Sequence, residues 1–101
     1  DEATRVRLLL AATRDALADP ARVLALGRQV YRDHRGGDPD AALRALLSMA
    51  RAYTALGRHR EAVGTAARAV ALVGPEGSAR DQARAHASQG DALFGAGRVA
   101  A

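Results

Sequence analysis

The stretch "ARAYTALGRHREA" at residues 50–62 decides the fold, because it combines the end of one helix, a turn and the start of the next. Tyr53 lies on an apolar stripe with the three- and four-residue steps of a buried helix face. Gly57 follows at the point where a left-handed residue commonly ends a helix. Ala62 opens the next apolar stripe, so "RHRE" at residues 58–61 is interpreted as a solvated first turn rather than a reactive cluster.

The same helical spacing recurs along the whole chain. Five apolar stripes, each typical of a helix with one buried face, run through residues 6–17, 23–34, 46–56, 62–73 and 83–93. The fifth stripe is the weakest and consists of Ala83, His86, Gly90 and Leu93. No segment alternates between apolar and polar residues over a useful length, so no strand is predicted. The sequence therefore predicts an all-α fold of five helices.

Residues suited to helix ends lie between these stripes. Asp19-Pro20 and Asp38-Pro39 each place a carboxylate that can cap a helix before a proline in its first turn. Ser78 can cap the fifth helix in the same way. Glycines that suit a left-handed helix end are Gly36, Gly57 and Gly74.

The chain is also internally repetitive. A shift of 40 residues places "GDALFGAGRVAA" at residues 90–101 on the opening stretch, with Ala50 on Gly90, Tyr53 on Leu93 and Gly57 on Gly97. The second helix matches the fourth at a shift of 39, with Val30 on Ala69. These matches divide the chain into helix-turn-helix units at about residues 3–42 and 43–82, followed by an incomplete unit at 83–101.

At these positions the chain resembles the tetratricopeptide repeat family. The residues that carry the structural signature are Met49, Ala50, Tyr53, Gly57, Ala62 and Ala69, and in the third unit Gly90, Leu93 and Gly97. The resemblance implies a right-handed α-solenoid of antiparallel helix-turn-helix repeats, about two and a half of them, in one domain over residues 1–101. The first unit departs from the signature, with Thr13 at the tyrosine position and Leu17 at the turn glycine.

The period near 40 residues is longer than the family's usual length of about 34. Longer units of this kind are similar to the tetratricopeptide sensor regions of bacterial signalling and regulatory proteins. We therefore expect a segment of a longer bacterial chain.

Composition limits the classes of function. The 101 residues carry a net charge of +4 and suffice for one small domain. The absence of cysteine excludes disulfides, thiolate metal sites and thiol nucleophiles. No apolar run has the length of a membrane span, and we expect a cytoplasmic protein with no membrane partner. All 15 basic residues are arginines, which permits an acidic partner without requiring one.

Candidate chemistry is sparse. His59 is interpreted as a solvated histidine between two arginines, His34 as a helix-end residue near the helix dipole, and His86 as half-buried on the fifth stripe. The glycines of "GDALFGAGR" lack the Lys-Ser/Thr ending of a phosphate-binding loop and follow no strand. We expect no enzyme, no cofactor and no metal site.

The resemblance also assigns an inner, concave face to the first helix of each unit. The residues predicted to form a peptide-binding groove there are Arg7, Arg14, Arg44, Leu47, Ser48, Arg51, Arg84 and Phe94, with Thr4, Ala11, Thr54, Ala87 and Asp91 on the same stripes. Five arginines against one aspartate make this face basic. Arginine forks suit carboxylates, although arginine is frequent enough in this chain to collect on any solvated face.

The leading functional expectation is a non-catalytic protein-interaction scaffold that binds an acidic peptide or partner domain in this groove. The alternative is self-association through the exposed end of the array. Nucleic-acid binding is less favoured, because the chain has only three aromatic side chains, Tyr31, Tyr53 and Phe94, for base stacking.

Overall fold

The computed structural model describes residues 3–4, 7–8 and 19–100, and within these ranges it contains helices and no strands. The helices are α1 (Pro20–His34), α2 (Pro39–Ala55), α3 (His59–Val73) and α4 (Ala79–Ala100). They correspond to the second to fifth predicted helices, and the all-α class is thereby confirmed. The first predicted helix lies mostly outside the described residues, although Thr4 and Arg7 are helical.

The predicted N-terminal caps are confirmed. Asp19 accepts a hydrogen bond from the Arg22 backbone N–H at 3.1 Å, and Asp38 accepts one from that of Ala41 at 3.1 Å. Ser78 Oγ accepts from the backbone N–H of Asp81, also at 3.1 Å. Each cap satisfies a backbone donor that the first turn of a helix leaves without a partner, and thereby fixes where α1, α2 and α4 begin.

The C-terminal ends follow the sequence less closely. Gly57 and Gly74 have positive φ angles of 74° and 64°, as predicted. The prediction for Gly36 is wrong, because α1 ends through Arg35 in the right-handed conformation with a φ of −58°. Gly97 matches the turn glycine at the repeat shift, yet it lies inside α4, which continues to Ala100. Its neighbours Ala96 and Arg98 are both good helix formers, and glycine permits a helix end without forcing one.

Each helix packs against the next one, and α2 also contacts α4. Short turns join the helices, so successive helices are antiparallel and α2 runs in the same direction as α4. The principal cluster of buried residues draws on all four helices and contains Val23, Leu24, Met49, Ala50, Ala52, Tyr53, Ala62, Ala66 and Ala92. Five of these nine residues are alanines, whose small side chains allow the helix backbones to lie close together.

The internal repeat is visible in the packing. Val30 of α1 lies in one cluster with Ala45 of α2, and Ala69 of α3 lies in one cluster with Ala85 of α4. Val30 and Ala69 are the residues matched at a shift of 39, and Ala45 and Ala85 are 40 apart. The α1–α2 and α3–α4 contacts therefore use equivalent positions.

The predicted buried stripe of α4 is wrong. Its members Ala83, His86, Gly90 and Leu93 are all exposed, and the buried residues are Ala85 and Ala92 at 0% and 1% exposure. On α2 the matching stripe is buried because α1, α3 and α4 surround that helix. Only α3 and α2 contact α4 within the described part of the chain, so the face equivalent to that stripe has no helix over it.

Gly27 permits the close approach of α1 and α2. A Cβ atom there would lie 2.6 Å from Met49 Cγ, and Met49 is itself buried. We expect Gly27→Ala to lower the free energy of unfolding by about 1 kcal/mol. Overpacking against Met49 costs about 1–3 kcal/mol, and the higher helix propensity of alanine offsets only part of that cost. Urea denaturation followed by circular dichroism measures the change.

Gly64 is the matched control for this prediction. It lies inside α3 and is exposed, and a Cβ atom added to it would have no neighbour within 4 Å. Gly64→Ala should therefore raise the free energy of unfolding by about 0.5–1 kcal/mol. Shifts of the same sign in both variants would contradict the assigned role of Gly27.

Candidate functional site

A groove of about 520 Å³ lies between the parallel helices α2 and α4. One wall is formed by α2 with Arg44, Leu47, Ser48, Arg51 and Thr54, and the other by α4 with Arg84, Ala87, Ser88 and Asp91. Ala50, Ala55 and Ala92 complete the lining with methyl groups. The volume is within the range of about 300–1,000 Å³ that is usual for ligand pockets.

The structure brings together five of the eight residues predicted for the groove. They are Arg44, Leu47, Ser48, Arg51 and Arg84. Arg7 is exposed and does not line the groove, and Arg14 lies outside the described residues. These five residues come together because α2 and α4 are parallel and in contact, and each presents the same predicted stripe to this concave surface.

The placement of Phe94 in the groove is wrong. Phe94 lies one turn beyond Asp91 on α4, and it is not among the residues that line the groove. Its side chain is 69% exposed, and the Arg98 guanidinium carbon lies 5.8 Å from the ring centroid. The rest of that predicted stripe, Arg84, Ala87 and Asp91, does line the groove, so the lining ends before Phe94.

Ser88 is a groove residue that the sequence reasoning missed. It lies 40 residues after Ser48, which was predicted to line the groove, so the repeat itself carried the signal. Applying the same shift to every residue of the α2 wall would have found it.

The three groove arginines differ in their ionic partners. Arg44 Nε lies 3.1 Å from Asp40 Oδ2, and Arg84 Nη1 lies 3.8 Å from Asp81 Oδ1. Both pairs lie within one helix, at spacings of four and three residues. Arg51 is exposed and forms no ion pair with any other described residue. It lines the groove together with Arg44 and Arg84.

The "RHRE" segment stabilises the turn between α2 and α3. Arg58 donates a hydrogen bond to Glu61, and this bond lowers the pKa of the Glu61 carboxyl below its ordinary value. The guanidinium carbon of Arg58 also lies 4.9 Å from the Tyr53 ring centroid. The Tyr53 hydroxyl accepts a hydrogen bond from Arg28 Nη2 at 2.9 Å. Through these contacts the Arg58 side chain links the α2–α3 turn to the buried Tyr53, and Arg28 of α1 binds the same tyrosine.

The histidines lie apart from the groove. His34 is buried at the end of α1 with 6% exposure, and His86 is exposed, which overturns its predicted half-burial. His59 is half-buried rather than fully solvated, because Gly95 of α4 leaves room for its ring. A Cβ atom on Gly95 would lie 3.2 Å from His59 Nδ1. His59 thus serves as a packing contact between α3 and α4.

A second concavity, of about 350 Å³, lies where the α3–α4 turn meets α4. Gln82 organises the backbone beside it, with Nε2 donating to the carbonyl oxygens of Pro75 at 3.1 Å and Gly77 at 2.9 Å. Gly77 itself is confined, because a Cβ atom there would lie 2.8 Å from the Val73 carbonyl oxygen. These contacts indicate a structural role in fixing the turn.

The chain matches no protein-family model, no curated protein and no solved structure. Among the described residues, no three His, Asp or Glu side chains are grouped so that they could hold a metal ion. No helix in that part of the chain combines the length and apolarity needed to cross a bilayer.

Proposed function

We propose that this chain is a non-catalytic protein-interaction module of the tetratricopeptide type, whose α2–α4 groove binds an acidic peptide. Two features support the type: the signature residues around Gly57 and the equivalence of the α1–α2 and α3–α4 contacts. The proposed array is a right-handed solenoid of about two and a half units with five helices. The proposed setting is a sensor or adaptor segment of a larger, cytoplasmic bacterial signalling protein.

The observation that carries the proposal is the convergence of Arg44, Arg51 and Arg84 on one concave surface with an apolar lining. A guanidinium group can donate two parallel hydrogen bonds to a carboxylate, and methyl groups beside it accommodate the apolar parts of a peptide. The lining residues carry three positive charges against the single negative charge of Asp91.

The existing ion pairs leave this capacity largely intact. Arg44 meets Asp40 through Nε, which leaves the donors of both terminal nitrogens for a ligand. The Arg84–Asp81 pair is long, at 3.8 Å, and both side chains are more than a third exposed. Exposed pairs of this kind contribute about 0–1 kcal/mol, so a peptide carboxylate can compete with them.

We expect the double variant Arg44→Ala/Arg51→Ala to weaken the binding of a capped, glutamate-rich peptide at least about tenfold. Each charge-assisted hydrogen bond lost is worth about 1.5–3 kcal/mol. Fluorescence anisotropy of a labelled peptide measures the affinity, and raising the salt concentration should weaken it further.

The double variant Arg22→Ala/Arg32→Ala is the matched control, since both are exposed α1 arginines that do not line the groove. It removes the same two positive charges and should change the affinity less than about twofold. Equal losses in the control and the groove variant would show that net charge alone attracts the peptide. Absence of binding by the unaltered chain to any acidic peptide would refute the proposal.

Self-association is the second candidate, and the outer face of α4 supports it. Leu93 and Phe94 are consecutive residues of α4, with 53% and 69% of their surfaces exposed. Large exposed apolar side chains close to one another are typical of interaction surfaces. Sedimentation equilibrium should show a dimer that Leu93→Glu dissociates, whereas a monomer at every concentration would exclude this candidate.

A further inference from the structure

Three pairs of repeat-equivalent residues line the groove, and one pair reverses the charge. The members of each pair are 40 positions apart, one on α2 and one on α4: Arg44 and Arg84, Ser48 and Ser88, and Arg51 and Asp91. The first two pairs keep the residue type, and the third replaces a cation by an anion. Because α2 and α4 run in the same direction, the three pairs follow one another in the same order along the groove, as three successive levels.

The groove therefore has two chemically different ends. The Arg44/Arg84 end offers guanidinium donors from both walls. The Arg51/Asp91 end offers a donor on one wall and an acceptor on the other. Both Arg51 and Asp91 are exposed, and neither is ion-paired to another residue in the described ranges. A ligand can therefore meet both groups without first displacing a partner that the structure shows.

From this asymmetry we infer that the groove selects a peptide with one carboxylate side chain and one carboxamide side chain, rather than a uniformly acidic peptide. The inference rests on the proposed function and names its ligand class. A second carboxylate would lie beside Asp91, where the two negative charges repel. A primary amide carries both a donor and an acceptor, so it complements Asp91 and Arg51 together without a net charge.

The spacing of the two ends sets the spacing of the ligand groups. Seven residues separate the two levels on each helix, which is about 10 Å at 1.5 Å per residue. In a polyproline II segment, residues three apart lie on the same side and about 9 Å apart. The preferred motif is therefore a glutamate and a glutamine separated by two residues.

Capped eight-residue peptides with a central Glu-Pro-Pro-Xaa test the inference, with Xaa as Gln, Glu, Arg or Leu. Each peptide is made with the motif in both sequence directions, because the groove does not by itself fix the orientation of the ligand. For each Xaa, the direction that binds more tightly is used for the comparison between peptides. Titration calorimetry should show the Gln peptide binding at least about fivefold more tightly than each of the others. In Asp91→Asn the advantage over the Glu peptide should fall below about twofold, because the repulsion is removed.

Glu76→Gln is the control, since Glu76 is an exposed carboxylate in the α3–α4 turn that does not line the groove. Like Asp91→Asn, it removes one negative charge, but it should leave the preference for the Gln peptide over the Glu peptide unchanged. The Glu, Arg or Leu peptide binding as tightly as the Gln peptide overturns the inference and leaves the interaction module standing. An unchanged preference in Asp91→Asn also overturns it. If none of the peptides binds, the proposed function fails, and the inference fails with it.

Discussion

Leu46→Ala is expected to lower the free energy of unfolding by about 2–5 kcal/mol, one of the largest losses that a single substitution in this chain can cause. Leu46 is 1% exposed and is among the largest fully buried side chains. It shares a cluster with Leu43 of its own helix, Ala69 of α3 and Ala85 of α4. Truncation removes contacts to both neighbouring helices at once and leaves a cavity that small neighbours cannot fill.

The size of this loss follows from the composition of the core. Most buried positions in α3 and α4 are alanines, which contribute close backbone approach but little side-chain surface. The few large side chains, such as Leu46, Val23 and Val30, therefore bury a disproportionate share of the apolar area. A domain of this size is marginally stable, so the variant should be largely unfolded at modest urea concentrations.

Leu72→Ala in α3 provides the matched control. Leu72 is 36% exposed, so the substitution removes the same atoms from a side chain that already contacts solvent. The control should lose less than about 1 kcal/mol, measured by urea denaturation with circular dichroism in the far ultraviolet. Comparable losses at the two positions would mean that Leu46 does not hold α2, α3 and α4 together.

The sequence predicted the features that depend on local chemistry. The caps at Asp19, Asp38 and Ser78 and the turn at Gly57 were identified because a side-chain acceptor or a glycine acts within a few residues of itself. The five groove residues on α2 and α4 were found because helical spacing and the repeat shift together fix one face of each helix.

The sequence did not predict the features that depend on what surrounds a helix. The stripe containing Leu93 was predicted to be buried by analogy with α2, but α4 has fewer helices around it in the described part of the chain. His59 and Gly95 come close together from different helices, and no local sequence pattern indicates this contact. Both errors arise because burial depends on tertiary neighbours, which the apolar pattern of a single helix does not specify.

The alanine positions of the core also determine the shape of the groove. Ala45 and Ala52 of α2 are fully buried, and their equivalents Ala85 and Ala92 on α4 are buried to the same degree. These small side chains hold the helices at short distance and set the rotation of each wall. That rotation directs Arg44 and Arg84 towards the same space, so the groove is a consequence of how closely the helices pack.

Ala66→Leu in α3 is expected to disturb both the core and the groove. Ala66 is 0% exposed and belongs to the cluster that contains Tyr53 of α2 and Ala92 of α4. A leucine has no space there unless the helices separate, and we expect a loss of about 3 kcal/mol in the free energy of unfolding. Separation of α2 from α4 should also weaken acidic-peptide binding, although Ala66 does not line the groove.

The neighbouring Ala67→Leu distinguishes packing from helix propensity. Ala67 is exposed on the same helix, so the two variants change propensity equally and differ only in what the new side chain meets. Urea denaturation and peptide titration of both variants separate the effects: Ala67→Leu should remain within about 0.5 kcal/mol of the unaltered chain and keep its affinity. If Ala66→Leu kept both stability and affinity, the close alanine packing of α3 would not be what shapes the groove.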